Sequence, residues 1–411
     1  MKTPLLAIAL ATLTTTSIRA VSSEPRTNNA HSIYVPEELR TMNLESDTSK
    51  WSYSRLDTTA HFAIFWEPGF GRDITQAPPL EGHNMRVNLP HLKQRLEQLY
   101  TLYADSLGFL DKSKHHYPFM VMLWYSLEGT AYGGDYDGKV GAFWSAPGRV
   151  QDERLNTVAH ELGHSFQSQL QIDGASPGFQ HCGGFYEMTS QWMLWQANPR
   201  WIDDETYHFE AFKKLTHKAF LDIENIYHSP FVLEYWSEKR GREIIADIWK
   251  NTRPDEDPVL TYMRLTGISQ EEMLQEMHDC HSRMVNLDFD RVRSVTRQHA
   301  NKWDDASREI PGNLGFNILP LKRPAGSMVR VSLHHDASQT PQRFLFSVVA
   351  IDGRGNPHYS KTASSEQGRL RYRLPKDTQQ AWIVVTAGYA DRHRRLDSAP
   401  NDLFPYTYSV E

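Results

Sequence analysis

A chain of 411 residues, 39% hydrophobic and 23% charged, has room for two or three packed domains and carries no sign of global disorder. Its formal net charge of -6 removes the electrostatic case for nucleic acid or an anionic membrane as partner. The 11 Trp, 18 Tyr and 18 Phe make the apolar part unusually aromatic, which suits packed cores and clefts for peptide or sugar alike.

Met1-Lys2 precedes a short apolar run from Leu5 to Leu13, and small polar residues then lead to Ala20 and Ser23. That is the pattern of a secretory signal peptide over residues 1–23, and it implies a secreted or periplasmic protein. The run is too short to span a membrane, and none of sufficient length follows. From 24 to 59 the sequence is polar and poorly periodic, and it reads as a linker or extended segment. His61 to Trp66 reads as a strand ended by Pro68-Gly69. Asn88 caps a helix from Leu89 to about Leu107, whose Leu92, Leu96, Leu99, Tyr103 and Leu107 share one face before Gly108. Phe119 to Trp124 is apolar without alternation, as in a strand buried on both faces.

Glu128 to Gly138 is rich in glycine and carboxylates. Asp135 and Asp137 do not follow the spacing of a calcium loop, so the stretch reads as a turn or cleft rim. Val140 to Trp144 is a further strand, closed by Pro147-Gly148. The next helix presents Leu155, Val158, Ala159, Leu162 and Phe166 on one face. Gly183-Gly184 opens an apolar helix with Phe185, Met188, Trp192, Leu194 and Trp195, and more helices are expected over 205–223, 229–251, 258–266 and 269–287. Around Ile310 the period changes, with strand-like runs at 328–333, 344–349, 370–374 and 381–386. The expected architecture is α+β: a domain over 60–290 with a small sheet and a mainly helical second half, then an all-β sandwich over 310–411.

His160-Glu161-Leu162-Gly163-His164 lies on the first of these amphipathic helices. Histidines four apart project from one helical face, so both imidazoles can reach one cation, while Glu161 can lie beside it and act as a base. The pattern points to Zn2+, which needs a third protein ligand and an open position. A third histidine in H-E-x-x-H-x-x-G-x-x-H is excluded, since Gln167 and Leu170 stand where the glycine and that histidine belong. Glu187 is the favoured third ligand: it is the only carboxylate in an apolar helix without Lys or Arg, where burial demands a cation. His181, in the loop before that helix, is the reserve. Cys182 and Cys280 are the chain's two cysteines and could form one bridge in an oxidising compartment, or remain two buried thiols.

With HELGH at 160–164 and Glu187 on the following helix, the chain resembles the gluzincins, the zinc peptidase superfamily of thermolysin-like enzymes and zinc aminopeptidases. Val140-Gly141-Ala142-Phe143-Trp144 is similar to the edge strand along which thermolysin-like enzymes hold substrate, which implies substrate contacts for Gly141, Ala142, Phe143 and Trp144. The segment from Tyr227 to Gly241 is similar to the aminopeptidase segment whose tyrosine stabilises the tetrahedral intermediate. It implies Tyr227 as that donor, with His228 second and Tyr235 third. HELGHSFQ also resembles glycoprotein-directed, enhancin-like peptidases. The chain departs from these relatives in two places. It lacks the aminopeptidase motif that holds a free substrate amine, and Gln191, beside Ser190, replaces an aspartate that buttresses a ligand histidine.

The expected function is a secreted zinc endopeptidase acting on proteins or glycoproteins, with Glu161 as base and a glycan as a further partner at the sandwich. The alternative is a non-catalytic adhesin or glycan-binding protein on a degenerate zincin scaffold. A zinc hydrolase for non-peptide bonds is the third reading, since such a site can attack other carbonyls.

Overall fold

The apolar runs at 62–66 and 119–123 have no polar residue to turn toward water, so each needs cover on both faces. In the computed structural model, which describes residues 33–336, 342–396 and 402–411, both runs lie inside a five-stranded sheet. The expected signal peptide lies outside the described residues. The strands are β1 (Leu56–Thr58), β2 (Phe62–Trp66), β3 (Phe119–Leu123), β4 (Ala131–Tyr136) and β5 (Val140–Ser145), in the order β1-β2-β3-β5-β4. β2, β3 and β5 run parallel, with β1 and β4 antiparallel at the two edges.

One face of the sheet is covered by a segment expected to be a linker. From residue 33 onward the stretch assigned to 24–59 is a packed strap, containing the short helix α1 (Glu37–Arg40). Its Leu39, Leu44 and Trp51 bury against Ala63, Phe65, Met120, Met122 and Ala142. Arg55, 2% exposed, fastens the strap by donating to the carbonyls of Trp66, Asp47, Ser49 and Lys50. Three anchors at irregular spacing leave no period to read, which is why the segment looked unstructured.

The other face receives α2 (Leu89–Tyr100) and α3 (Asn156–Ile172). The Asn88 side chain accepts from the His91 N–H as expected, and the last turns of α2 widen over Thr101–Ser106. α3 is held from two sides. Tyr103 donates to the Ala159 carbonyl at 2.8 Å, and Phe166 stacks on Phe119 with ring centroids 4.6 Å apart.

The helical half follows as α4 (Gly184–Ala197), α5 (Trp201–Asp204), α6 (Thr206–Leu215), α7 (Phe231–Arg240), α8 (Ile244–Asn251), α9 (Pro258–Thr266), α10 (Gln270–Met284) and α11 (Arg293–Thr296). The single helix expected over 229–251 is split in two, since Gly241 leaves α7 with a φ of 98°. α10 starts with a capping box between Ser269 and Glu272. Cys182 and Cys280 are both buried and are not bridged to each other. Cys280 packs its Sγ 3.9 Å from the Phe231 carbonyl in the helical core, where burial pushes its thiol pKa well up.

Two antiparallel sheets complete the chain. β6 (Phe316–Pro320), β8 (Gln342–Asp352), β9 (Pro357–Tyr359), β10 (Ala363–Ser364) and β12 (Thr378–Tyr389) form one. β7 (Met328–His334), β11 (Arg369–Arg373) and β13 (Thr407–Val410) form the other. Phe344, Phe346, Val348, Ile383 and Val385 meet Val329, Val331 and Leu333 between the sheets. The larger sheet is also apolar outside: Leu345, Val349, Trp382 and Val384 join the main core with Met273, Leu274 and Met277 of α10. The last hundred or so residues therefore share a core with the helical half, where the change of period at Ile310 had suggested a separate unit.

Two histidines of α10 lie in that shared interface. His278 contacts Thr386 Oγ1 at 3.0 Å and Ser347 Oγ at 2.9 Å, and His281 contacts the same Thr386 oxygen at 2.9 Å. Burial, with no carboxylate in contact, lowers the His278 pKa to about 3 and puts that of His281 well below its ordinary value. Both stay neutral when folded, whereas the unfolded chain protonates them near pH 6.5. Stability is therefore present above that pH and is lost as pH falls below it, with a limiting slope of about 1.4 kcal/mol per pH unit for each histidine. Denaturant unfolding across pH 7 to 4 should show the midpoint falling, and His278→Gln should flatten the slope.

Candidate metal centre

Zinc-binding geometry needs side chains from different elements brought within a few ångströms, so the approach of α3 to its neighbours decides what the site can hold. Glycines permit it on two sides. A Cβ on Gly163 would collide with Ser190 of α4, and one on Gly133 of β4 would collide with the Glu161 carbonyl and His164. Ser190 Oγ donates to the His160 carbonyl, locking the two helices at that point. α3 starts from Leu155, whose left-handed backbone (φ 53°, ψ 43°) is held in place by a fully buried side chain.

The result is a tight triangle. His160 Nε2 and His164 Nε2 are 3.2 Å apart, and Glu187 Oε2 lies 3.1 Å from the first and 3.2 Å from the second. Ligand atoms at zinc bond lengths in a tetrahedron are separated by about 3.3 Å, so the three donors fit a zinc ion with the fourth corner open. Ligating atoms of His160, Glu161 and His164 also lie within 4.8 Å of one another, which sets the Glu161 carboxylate beside the triangle. Burial alone would push Glu187 up, but the two imidazoles hold its pKa well below the usual carboxylate range. Burial would likewise lower His164, yet Glu187 raises it to about 9. The pocket draws in positive charge, as a divalent cation would require.

Gln167, which the sequence marked as a departure from the three-histidine class and as the end of the HELGHSFQ resemblance, is fully buried here. Its Oε1 sits 3.1 Å from His164 Nδ1, and its Nε2 donates to the Tyr186 carbonyl at 2.9 Å. The carbonyl oxygen accepts the Nδ1–H, the arrangement in which a metal-binding His164 would present its Nε2 lone pair to the triangle. One amide thus orients a candidate ligand on α3 and grips α4 next to Glu187. The signal was present in the sequence as an amide three residues after His164, one helical turn along. Gln191 and Ser190, where a buttressing aspartate was sought, do something else: Ser190 serves the backbone, and Gln191 is buried with its Nε2 unpaired.

Among the oxyanion candidates, Tyr227 lies at the pocket. Its ring is 6.0 Å from that of His160, and burial and then the nearby Glu187 carboxylate raise its pKa. His228 belongs to a neighbouring cluster, with its Nδ1 2.7 Å from His208 Nδ1 and His208 Nε2 3.4 Å from Glu205. Burial and then His208 lower its pKa to about 4. Tyr235 is buried with its hydroxyl on Asp279 at 2.9 Å. His181, the reserve ligand, is exposed and borders a separate pocket with Arg253 and Asp257.

The expected substrate strand needs correction. Gly141, Ala142, Phe143 and Trp144 lie in β5, which is paired with β3 on one side and β4 on the other, so their backbone has no free edge. The edge is β4, within the stretch expected to be a turn or rim. Its signal was hidden because Gly133 and Gly134 replace the side chains that would mark a strand. Asp135 and Asp137 shape its turn: Asp135 accepts from the Gly138 N–H, and Asp137 accepts from Tyr34 and the Glu37 N–H.

Gly163→Ala should force α3 and α4 apart at Ser190. A loss of about 1–3 kcal/mol in denaturant unfolding is expected. Zinc affinity should fall with it, and an unchanged unfolding midpoint would show that the contact is slack.

Comparison with curated proteins gave no match. A solved structure, that of the CBM32-1, CBM32-2 and M60 catalytic domains from Clostridium perfringens ZmpB, aligns at a TM-score of 0.32 and 12% sequence identity. The alignment covers 84% of this chain and 36% of that one, too distant a likeness to carry an argument. A family model described as a family of unknown function, DUF6055, matches residues 25–411. On that match, the chain belongs to DUF6055.

Proposed function

We propose that this protein is an exported zinc-dependent endopeptidase, in which residues 60–290 form the catalytic unit and the sandwich over 310–411 completes its core. The observation that carries the reading is the triangle of His160, His164 and Glu187, with edges of 3.1–3.2 Å and the Glu161 carboxylate alongside. Among the described residues no helix is long and apolar enough to cross a membrane.

His160, His164 and Glu187 would hold the zinc, which when bound supplies a Lewis acid that polarises the scissile carbonyl and acidifies water. Glu161 stands outside the triangle with its carboxylate free to take the proton of the attacking water and pass it to the leaving amine. The Tyr227 hydroxyl, beside Glu187, donates to the oxygen on which negative charge develops. Gln167 keeps His164 in the tautomer that presents Nε2. The free edge of β4 receives an extended peptide as an added strand, so that its backbone is fixed against the helix bearing Glu161.

Glu161→Gln should reduce peptide hydrolysis by about 10²–10⁴-fold while zinc remains bound. Glu187→Ala should lower the zinc content of the purified protein. The decisive measurement is a proteome-wide cleavage screen with and without chelator, on plain and glycosylated proteins, alongside metal analysis. Zinc without cleavage of any substrate would overturn the peptidase reading in favour of a binding protein on the same scaffold.

Gln167→Met keeps length and removes both amide hydrogen bonds. Chelator competition should give a zinc affinity lowered about 10- to 100-fold. An unaltered affinity would make Gln167 a packing residue only.

A further inference from the structure

Side chains of a strand point alternately to the two faces of its sheet. On β4, Gly133 faces α3, so Tyr132 and Gly134 face the side covered by the strap. On that side a row of rings crosses three strands. Tyr132 stacks on Trp144 of β5 with centroids 5.0 Å apart, and Trp124, just beyond β3, lies 5.3 Å from Tyr132. Tyr136 continues the row: its ring is 4.8 Å from that of Trp144, and its hydroxyl accepts from Trp144 Nε1. The strap buries Tyr136 but leaves Tyr132 50% exposed, while Trp124 and Trp144 are half-buried. Next to Tyr132 along the edge there is open space, because a Cβ on Gly134 would have no atom within 4 Å. The Glu38 carboxylate closes the far end through its bond with the Tyr136 hydroxyl.

A peptide added to the edge of β4 must place alternate side chains on this same side, directly across from Tyr132 and Gly134. The residues between them point toward α3, where Gly133 touches Glu161 and His164. Resting on the peptidase reading above, we propose that Tyr132, backed by Trp144 and Trp124, is a specificity platform. It selects peptides with a large aromatic or aliphatic side chain next to a residue that faces the metal centre. Gly134 leaves the seat open for that side chain. Glu38 sets the charge preference, since an acidic residue there would meet a carboxylate at the rim.

The test uses zinc-loaded Glu161→Gln protein to measure binding, and the unsubstituted protein to measure cleavage of the same peptides. Capped peptides differ at one position at a time, carrying Phe, Leu, Ala or Glu, and calorimetry reads their affinity. At one position Phe and Leu should bind about 3- to 10-fold more tightly than Ala, with Glu weakest. Adding Tyr132→Ala should remove the preference. Adding Gly134→Val, a residue suited to a strand, should block the seat while leaving the fold as stable or more so. Such a preference without cleavage would keep the platform and overturn the peptidase reading. Cleavage with a profile that neither substitution alters would do the reverse. Neither binding nor cleavage would overturn both, and binding of a free oligosaccharide that Tyr132→Ala abolishes would reassign the surface to sugar.

Discussion

The position of one helix governs this molecule. α3 is pressed against β4 at Gly133 and against α4 at Gly163, closer on each side than any side chain with a Cβ would allow. Those two contacts bring a sheet edge, two histidines and a carboxylate from the next helix to one place. Tyr103 and Phe166 hold the helix from its buried side, so it is clamped from the sheet, from α2 and from α4 together. The packing energy is spread over many aromatic contacts, while the geometry of the pocket depends on very few small residues.

The pocket illustrates how burial and charge set each other. Glu187 and His164 drive each other's proton affinities in opposite directions. Gln167 adds orientation without charge, an amide doing what a carboxylate often does beside a ligand histidine. Neutral support leaves the triangle with less total negative charge than a buttressing aspartate would.

Much of this arrangement was legible before the structure. The four-residue spacing of His160 and His164 fixed their common face, and the lone Glu187 in an apolar helix had a physical reason to want a cation. Tyr227 was singled out as an oxyanion donor, and its ring lies 6.0 Å from that of His160. What could not be read was anything that depends on the absence of a side chain or on a long-range contact. β4 was hidden because Gly133, which lets α3 approach, and Gly134 beside it carry no side chain to mark a strand, and the strap because Leu39, Leu44 and Trp51 follow no period. Val140 to Trp144 was read as an edge strand from its resemblance to thermolysin-like enzymes, and nothing in an apolar run says which neighbours it has. His228 was assigned from its sequence neighbour, and its true partner, His208, is set by the packing of α6 beneath it.

The two-sided burial of β8 and β12 bears on how the protein comes to exist. The apolar outer face of that sheet covers Met273, Leu274 and Met277, which leave the ribosome before the strands that will bury them. Until the final strands are made, α10 has no partner for one whole side, and the helical half cannot close its core. The chain is thereby kept from closing its core early, because the last sheet is a structural half of that core and not an appendage to it.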